Sequence, residues 1–375
     1  MECGGGILSS FFNTRCRREE AERYESFLEN GSKVLEEFIT KWNGQCSIPI
    51  RNFSAGELIR STNNFDCQHW IDQDAFYNLY RGSFGERPIL VKQYYNHIPD
   101  FPTTAFTVRG IAVRDIVITS QMSSQKIVVK LIGCCLEFQY PVLVYEGLRS
   151  SEQLLSRSLY KREGDMANHN DGSSLSLKTR VRIANDITYA FVYLHTAFPT
   201  SIIHRSLKSN NVIIDRCGGA AKLLDFSFSI AIPPEESHVE DSVIGTSGFM
   251  EPEYCLRGIL TVKTNVYDFG MILVELLTGQ RIGALHRQYE SLHMQYESLQ
   301  DYLHNGGLNE MLDAKIRGEG GGVVQEQQLQ ALVELAMQCL QKEREDRPEM
   351  IDVAKEVKRI QRLVQTPISS TINPL

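Results

Sequence analysis

The stretch that decides the fold runs from Ile203 to Asn211 and reads I-H-R-S-L-K-S-N-N. Just before it, Leu177 to His195 repeats apolar side chains at helical spacing, which predicts a buried helix that leads into the stretch. Ser206 stands at its centre. A serine hydroxyl has a very high pKa and cannot accept a proton near neutral pH. Since no base is evident beside Ser206, we do not expect it to act as a nucleophile.

The composition excludes several classes of protein. The chain has 375 residues and a net charge of −7, which argues against a nucleic-acid-binding face. Its nine cysteines are scattered and form no C-x-x-C pair, a usage typical of a reducing compartment. The most apolar segment, Val266 to Leu277, is about half a membrane span and carries two carboxylates, so it predicts a buried helix. No signal peptide is visible, and we expect a cytoplasmic protein.

Motifs on both sides of the opening stretch occur in the order that is typical of protein kinases. The stretch itself has the frame H-R-D-L-x-x-x-N of the kinase catalytic loop, with Ser206 in place of the catalytic Asp. Ile89 to Lys92 matches the V-A-I-K strand. Asp225-Phe226-Ser227 stands for D-F-G, and Met250 to Glu253 stands for A-P-E. The order of these motifs predicts a protein-kinase fold.

We therefore expect an α+β fold with two lobes. The smaller N-lobe, about residues 51–146, is predicted to be rich in β-strands, and the larger C-lobe, about residues 147–362, to be helical. Residues 1–50 would form an N-terminal extension and residues 363–375 a C-terminal tail.

Two segments outside the motifs have helical patterns. Residues 17–42 predict two amphipathic helical pieces, with a break at Asn30-Gly31. They would either pack on the first lobe or bind a partner. Residues 286–299 are a tandem repeat of seven residues, which predicts either an extended helix or an interaction seam.

The glycine-rich loop of kinases has lost its three glycines, which normally let the backbone close over the ATP phosphates. Asp72, Asp74 and Tyr77 occupy their positions. At about 6 Å and an effective dielectric near 20, each carboxylate would repel a phosphate charge by roughly 3 kcal/mol. Alternatively the hairpin bends away and the acids are solvated. Either arrangement weakens phosphate binding.

Other nucleotide-binding positions are partly kept. Lys92 is expected to contact phosphates and the carboxylate of Asp115, but Asp is one methylene shorter than the usual Glu, so the pair is predicted to be strained or absent. Lys208 is also kept. Asn211 and Asp225 stand at the positions of magnesium ligands. Weak binding of ATP and Mg²⁺ therefore stays open, although the function proposed from the sequence requires no cofactor.

Several positions are predicted to have structural roles. His204 and Arg205 are kept in the catalytic-type loop, and Asn265 replaces the Asp that normally accepts hydrogen bonds from that loop. Arg347 is expected to pair with Glu253 under the activation segment. Hydroxyl groups of this segment are candidates for modification: Ser237, Ser242, Thr246 and Ser247.

Over about residues 50–360 the chain resembles plant receptor-like cytoplasmic kinases that are akin to wall-associated kinases. The lead-in F-S-A-G-E-L at residues 53–58 carries part of this resemblance. Within that group the chain is similar to the ZED-related kinase (ZRK) pseudokinases. The supporting segments are E-N-G-x-x-x-L-E-E at 29–37, P-I-R at 49–51, M-S-S-Q-K at 122–126 and K-L-I-G-C-C-L-E at 130–137.

The resemblance implies a catalytically impaired adaptor in plant innate immunity. Such proteins associate with a coiled-coil NLR receptor of the ZAR type. They sense bacterial effectors, often acetyltransferases of the YopJ class, directly or through a modified receptor-like cytoplasmic kinase. The resemblance also implies at most peripheral membrane association, at the inner face of the plasma membrane through partners.

Three hypotheses follow for the function. The first is a catalytically dead scaffold that binds an NLR receptor and kinase-like or effector partners. The second is a weakly active ATP-dependent Ser/Thr kinase that uses an atypical base. The third is a decaying gene copy, against which the intact pattern of core residues argues.

Overall fold

A computed structural model describes residues 5–42, 50–95, 107–160, 175–246, 248–285, 299–318 and 323–363. The chain divides into two compact units. Unit 1 comprises Met1–Arg149 and Asp225–Ser227, and unit 2 comprises Ser150–Leu224 and Phe228–Leu375. A β-rich first unit and a helical second unit confirm the predicted fold class.

Unit 1 contains a mixed six-stranded sheet with the strand order β1-β5-β6-β4-β3-β2, in which only β1 and β5 are parallel. Its aromatic and aliphatic core joins the segment around Phe53 to β3, β4 and β6. The strands are β1 (Arg51–Asn52), β2 (Trp70–Gln73), β3 (Tyr77–Phe84), β4 (Arg87–Tyr94), β5 (Leu131–Cys135) and β6 (Val142–Glu146). The helices are α1 (Gly5–Trp42), α2 (Ala55–Ser61), α3 (Val108–Met122) and a 3₁₀ turn (Cys67–His69).

Helix α1 runs without a break through Asn30-Gly31. The prediction of two helical pieces is therefore wrong. Asn30 is fully buried, and its amide donates hydrogen bonds to the carbonyl oxygens of Leu136 (2.9 Å) and Phe138 (2.8 Å). The side chain of Arg109 donates to the Asn30 amide oxygen at 2.8 Å. These contacts offset the weak helix propensity of Asn-Gly, so the helix continues.

Unit 2 is built around α5 and α7, which the apolar spacing predicts, and α7 is buried along nearly its whole length. Its strands form small sheets: β7 (Glu152–Leu154), β8 (Ile202–Ile203), β9 (Val212–Asp215), β10 (Ala221–Leu223), β11 (Ile230–Ala231), β12 (Val239–Glu240) and β13 (Ile259–Leu260). The helices are α4 (Leu155–Leu159), α5 (Leu177–Thr196), α6 (Pro252–Arg257), α7 (Val262–Thr278), α8 (Leu299–Tyr302), α9 (Leu308–Met311), α10 (Ala314–Gly318), α11 (Val323–Cys339) and α12 (Met350–Leu363). Short 3₁₀ turns cover Ser209–Asn211 and Arg344–Asp346, and a π-helical turn covers Leu303–Gly307.

The tandem repeat at 286–299 lies outside the described residues, apart from Leu299 at the start of α8. Within the described ranges, no helix combines the length and the apolar composition that crossing a membrane requires.

Candidate functional site

Strand β4 places Lys92 in the interior of unit 1, where its ammonium group is fully buried. The Nζ atom lies 2.7 Å from Asp115 Oδ2 and 2.6 Å from Asp225 Oδ1. The prediction of a strained or absent pair with Asp115 is therefore wrong. Burial alone would lower the pKa of Lys92, but the two carboxylates outweigh burial and raise it. Lys92 is charged and paired on two sides.

The carboxylate of Asp115 is held by more than Lys92. It accepts hydrogen bonds from the hydroxyls of Tyr94 (2.7 Å), Tyr145 (3.1 Å) and Thr119 (2.8 Å), and from the backbone N–H of Phe226 (2.9 Å). These donors explain why the shorter side chain is sufficient here. Burial, together with the nearby carboxylates, raises the pKa of both tyrosines well above its ordinary value, so both phenols stay protonated.

Tyr77, at the third glycine position, covers Lys92. Its ring centroid lies 4.0 Å from the Lys92 Nζ atom, and that of Tyr94 lies 4.9 Å from it. Tyr77 is 2% exposed, so its ring belongs to the core of unit 1. Two carboxylates and two aromatic faces thus surround the ammonium group, an arrangement that stabilises a desolvated cation.

Asp72 and Asp74 are both half-buried. The turn after β2 is joined to the end of β4, because the Tyr95 hydroxyl donates to the carbonyl of Asp74 and the Tyr95 N–H donates to that of Phe76 at 3.0 Å. The hairpin does not bend away from the sheet, and both carboxylates lie near enough to Tyr77 to help raise its pKa, after burial and the charge of Asp225.

In unit 2, the catalytic-type loop is buried and bonded to itself. Asn211 donates from its amide nitrogen to the carbonyl (2.8 Å) and the hydroxyl (2.9 Å) of Ser206. The N–H of Ser206 donates to His204 Nδ1 at 3.2 Å. Lys208 is half-buried, and its carbonyl accepts from the N–H of Asn211 at 2.8 Å. In these contacts the partners of Ser206 are the amide of Asn211 and the imidazole of His204.

Asn265 supports this loop from α7. Its amide oxygen accepts from the N–H of His204 at 2.9 Å, and its amide nitrogen donates to the carbonyl of Ile202 at 3.3 Å. The same nitrogen lies 2.8 Å from His195 Nε2. Because the amide nitrogen can only donate, His195 Nε2 must accept, which requires a neutral imidazole.

Arg347 forms an ion pair with Glu251 and not with Glu253. The predicted acidic partner of Arg347 is therefore wrong. Glu251 is fully buried, and Arg344 contacts it at 2.6 and 2.7 Å. Burial raises the pKa of Glu251, but the two guanidinium groups outweigh this effect and lower it. Glu253 is half-buried on α6 and contacts Arg344 (3.0 Å) and Arg257 (3.5 Å).

The hydroxyls proposed for modification are accessible where the structure describes them. Ser237, Ser242 and Thr246 are exposed, and Ser247 lies outside the described residues. Ser227 is buried, and its N–H donates to Asp225 Oδ1 at 3.2 Å.

Both positions expected for magnesium ligands make hydrogen bonds within the protein. Asp225 Oδ1 is already bonded to Lys92 and to the N–H of Ser227, while the amide nitrogen of Asn211 is bonded to Ser206. In the part of the chain that the structure describes, no group of three or more His, Cys, Asp or Glu side chains is arranged to hold a metal ion.

Sequence reasoning missed three side chains that define these networks. Tyr94 follows Lys92 by two residues and therefore shares its face of β4, a signal that strand periodicity could have revealed. Tyr145 and Asp241, whose carboxylate accepts from Arg205 Nη1 at 2.7 Å, had no such signal, because their partners are distant in sequence.

Comparison of the sequence with known proteins identifies the same fold. The protein kinase domain family matches residues 105–364. The chain is 35% identical to "Serine/threonine-protein kinase ZRK1" of Arabidopsis thaliana over 355 residues, which cover 94% of this chain and 97% of that protein. It is also 35% identical to "Non-functional pseudokinase ZED1" of the same plant, over 90% of this chain and 96% of that protein.

A third relative, "Wall-associated receptor kinase-like 1" of Arabidopsis thaliana, is 30% identical over 95% of this chain but only 46% of its own length. The relatives thus carry the names of both kinases and pseudokinases. The family match and the near full-length relatives lead to one conclusion: the chain belongs to the protein kinase family, in the group of ZRK and ZED1 kinases and pseudokinases.

Proposed function

We propose that the protein is a catalytically inactive pseudokinase that acts as an adaptor in plant innate immunity. It would join a coiled-coil NLR receptor to a bacterial effector, or to a receptor-like cytoplasmic kinase that an effector has modified. The proposed lack of catalytic activity rests on one observation. Lys92 is enclosed by four side chains, those of Asp115, Asp225, Tyr77 and Tyr94. The adaptor part rests on the resemblance and on an exposed face of α1.

Two separate steps of phosphotransfer are impaired. The side chains that would hold phosphate and metal are bonded to one another, and Tyr77 covers the ammonium group of Lys92. Ser206 offers no base for the substrate hydroxyl, a loss worth about 10²–10⁴ in rate. A scaffold requires neither ATP nor Mg²⁺, so its function survives both losses.

One face of α1 supports the partner-binding role. Tyr24, Leu28, Leu35 and Ile39 are 65%, 52%, 59% and 55% exposed. At about 100° per residue, these four side chains fall within about 60° of the helix circumference. We name these four residues the apolar stripe. Four large apolar side chains on one exposed face are typical of a surface that a partner covers, and we assign it to the receptor.

A weakly active Ser/Thr kinase is the second candidate. The pair between Lys92 and Asp115 favours it, because active kinases require the equivalent ion pair. The two candidates differ in phosphotransfer by the purified full-length protein with ATP and Mg²⁺ or Mn²⁺, read by mass spectrometry. We expect no transfer from the native protein or from Ser206→Asp. Transfer by the native protein that Asp225→Asn abolishes would favour the kinase.

Co-precipitation from leaf tissue with candidate coiled-coil NLR receptors tests the adaptor role. Leu28→Glu with Leu35→Glu should reduce recovery of the receptor at least about tenfold, because charges would replace buried apolar contacts. Lys33→Glu is the matched control, since Lys33 is exposed on another side of α1. Equal recovery with the double variant and the control would exclude the apolar stripe as the receptor surface.

The receptor would also hold the cytoplasmic protein at the inner face of the plasma membrane.

A further inference from the structure

Arg205, next to Ser206 in the catalytic-type loop, has a fully buried side chain that reaches the activation segment within unit 2. Its Nη1 atom donates to Asp241 Oδ2 at 2.7 Å, and its Nη2 atom donates to the carbonyl of Ser242 at 2.8 Å. Nη2 also contacts the hydroxyl of Tyr254, on α6. A buried guanidinium paired with a carboxylate forms a charge-assisted hydrogen bond, which is stronger than a neutral one.

Asp241 is also held through its backbone. Its N–H donates to the carbonyl of Gly258 at 2.9 Å, directly after the pairing of β12 with β13. Gly258 has φ +70°, and a Cβ atom there would lie 2.7 Å from the carbonyl oxygen of Asp241. The second carboxylate oxygen of Asp241 accepts from the N–H of Ser242 at 2.8 Å. The position of this carboxylate is therefore fixed from several sides.

Tyr254 continues the same network along the segment. Its hydroxyl accepts from the N–H of Ile244 and donates to the carbonyl of Ser242, each at 2.8 Å. Residues 239–244 are thus bonded to the catalytic-type loop through Arg205, and to α6 and β13 through their backbone.

Activation segments that depend on phosphorylation become ordered when the added phosphate pairs with arginine. Here the carboxylate of Asp241 already pairs with Arg205 without a phosphate. We propose that Asp241 is a built-in anion that keeps residues 239–246 ordered without phosphorylation. This conformational role is independent of the receptor surface and of nucleotide binding. The exposed hydroxyls of Ser242 and Thr246 are then not needed to order the segment.

Hydrogen exchange of the full-length protein, measured by mass spectrometry before and after phosphatase treatment, tests this proposal. The native protein should protect residues 239–246 equally in both samples. Asp241→Ala and the milder Asp241→Asn should raise exchange in this segment, by about tenfold or more for Asp241→Ala, because the guanidinium loses its anionic partner. Glu240→Ala is the matched control, since Glu240 is the exposed neighbour, and it should leave exchange near the native value.

Loss of protection in the native protein after phosphatase treatment would overturn the proposal. So would native-like protection in both Asp241 variants. If Asp241→Ala does not fold, Asp241→Asn decides, because it keeps the size of the side chain and removes only the charge.

Discussion

Lys92 shows how one residue can be kept while its role changes. In an active kinase the equivalent lysine contacts the α- and β-phosphates and a helix carboxylate. In this protein, Asp115 and Asp225 take two of its hydrogen bonds, and the rings of Tyr77 and Tyr94 lie over the ammonium group. Lys92 has become the cation at the centre of the unit 1 core.

This change makes a direct prediction for stability. Lys92→Ala leaves the buried carboxylates of Asp115 and Asp225 without their shared cation, and breaking a buried pair in this way costs about 3–5 kcal/mol. The variant should unfold at a clearly lower urea concentration than the native protein.

Lys126→Ala is the control for that experiment, because Lys126 is an exposed lysine of the same unit. Its unfolding midpoint should match the native value. A Lys92→Ala protein as stable as this control would mean that the carboxylates do not depend on the lysine.

His195 predicts how stability depends on pH. Burial lowers its pKa to about 4, and the carboxylate of Glu349 opposes this only in part. The folded state therefore holds the imidazole neutral, whereas the unfolded state takes up a proton near pH 6.5. The contribution to stability is complete above about pH 6.5 and is lost as the pH falls towards 4. Urea unfolding at several pH values should show a smaller loss for His195→Gln than for the native protein, and equal losses would contradict this role.

Among the helices, α1 is held to unit 1 by the hydrogen bonds of one buried polar side chain, Asn30. Asn30→Ala would leave the carbonyl oxygens of Leu136 and Phe138 without their donor, at a cost of about 1–3 kcal/mol. We expect faster hydrogen exchange in α1, although alanine has the better helix propensity. The nearby exposed change Ser32→Ala should have little effect. Slower exchange in Asn30→Ala would show that propensity, not this contact, limits the helix.

The elements also show what the sequence can and cannot predict. Apolar spacing is sufficient for α5 and α7, because each buries a continuous face. The continuity of α1 could not be predicted, since the partners of Asn30 are 79 to 108 residues away in sequence. The same limit applies to Asp115, whose pairing depends on tyrosines of two strands, and to Arg347, which selects the more deeply buried carboxylate of Glu251.

Across the whole molecule the kinase fold is kept, and the proposed inactivity rests on two regions of it. We expect phosphate binding to be weakened by Asp72, Asp74 and Tyr77 in unit 1, and proton transfer by Ser206 in unit 2. The motifs predicted the fold, which is confirmed, whereas the loss of the base stays a prediction. They did not predict that the side chains left around Lys92 would bond to one another.

We infer that the enclosure of Lys92 prevents nucleotide binding. Isothermal titration calorimetry of the full-length protein with Mg-ATP tests this inference. A variant with glycine in place of Asp72, Asp74 and Tyr77 is measured in the same way. We predict no saturable binding by the native protein up to about 1 mM, which corresponds to about −4 kcal/mol. The variant should bind measurably, because Lys92 is uncovered. Saturable binding of Mg-ATP by the native protein at micromolar concentrations would show that the enclosure of Lys92 does not prevent nucleotide binding.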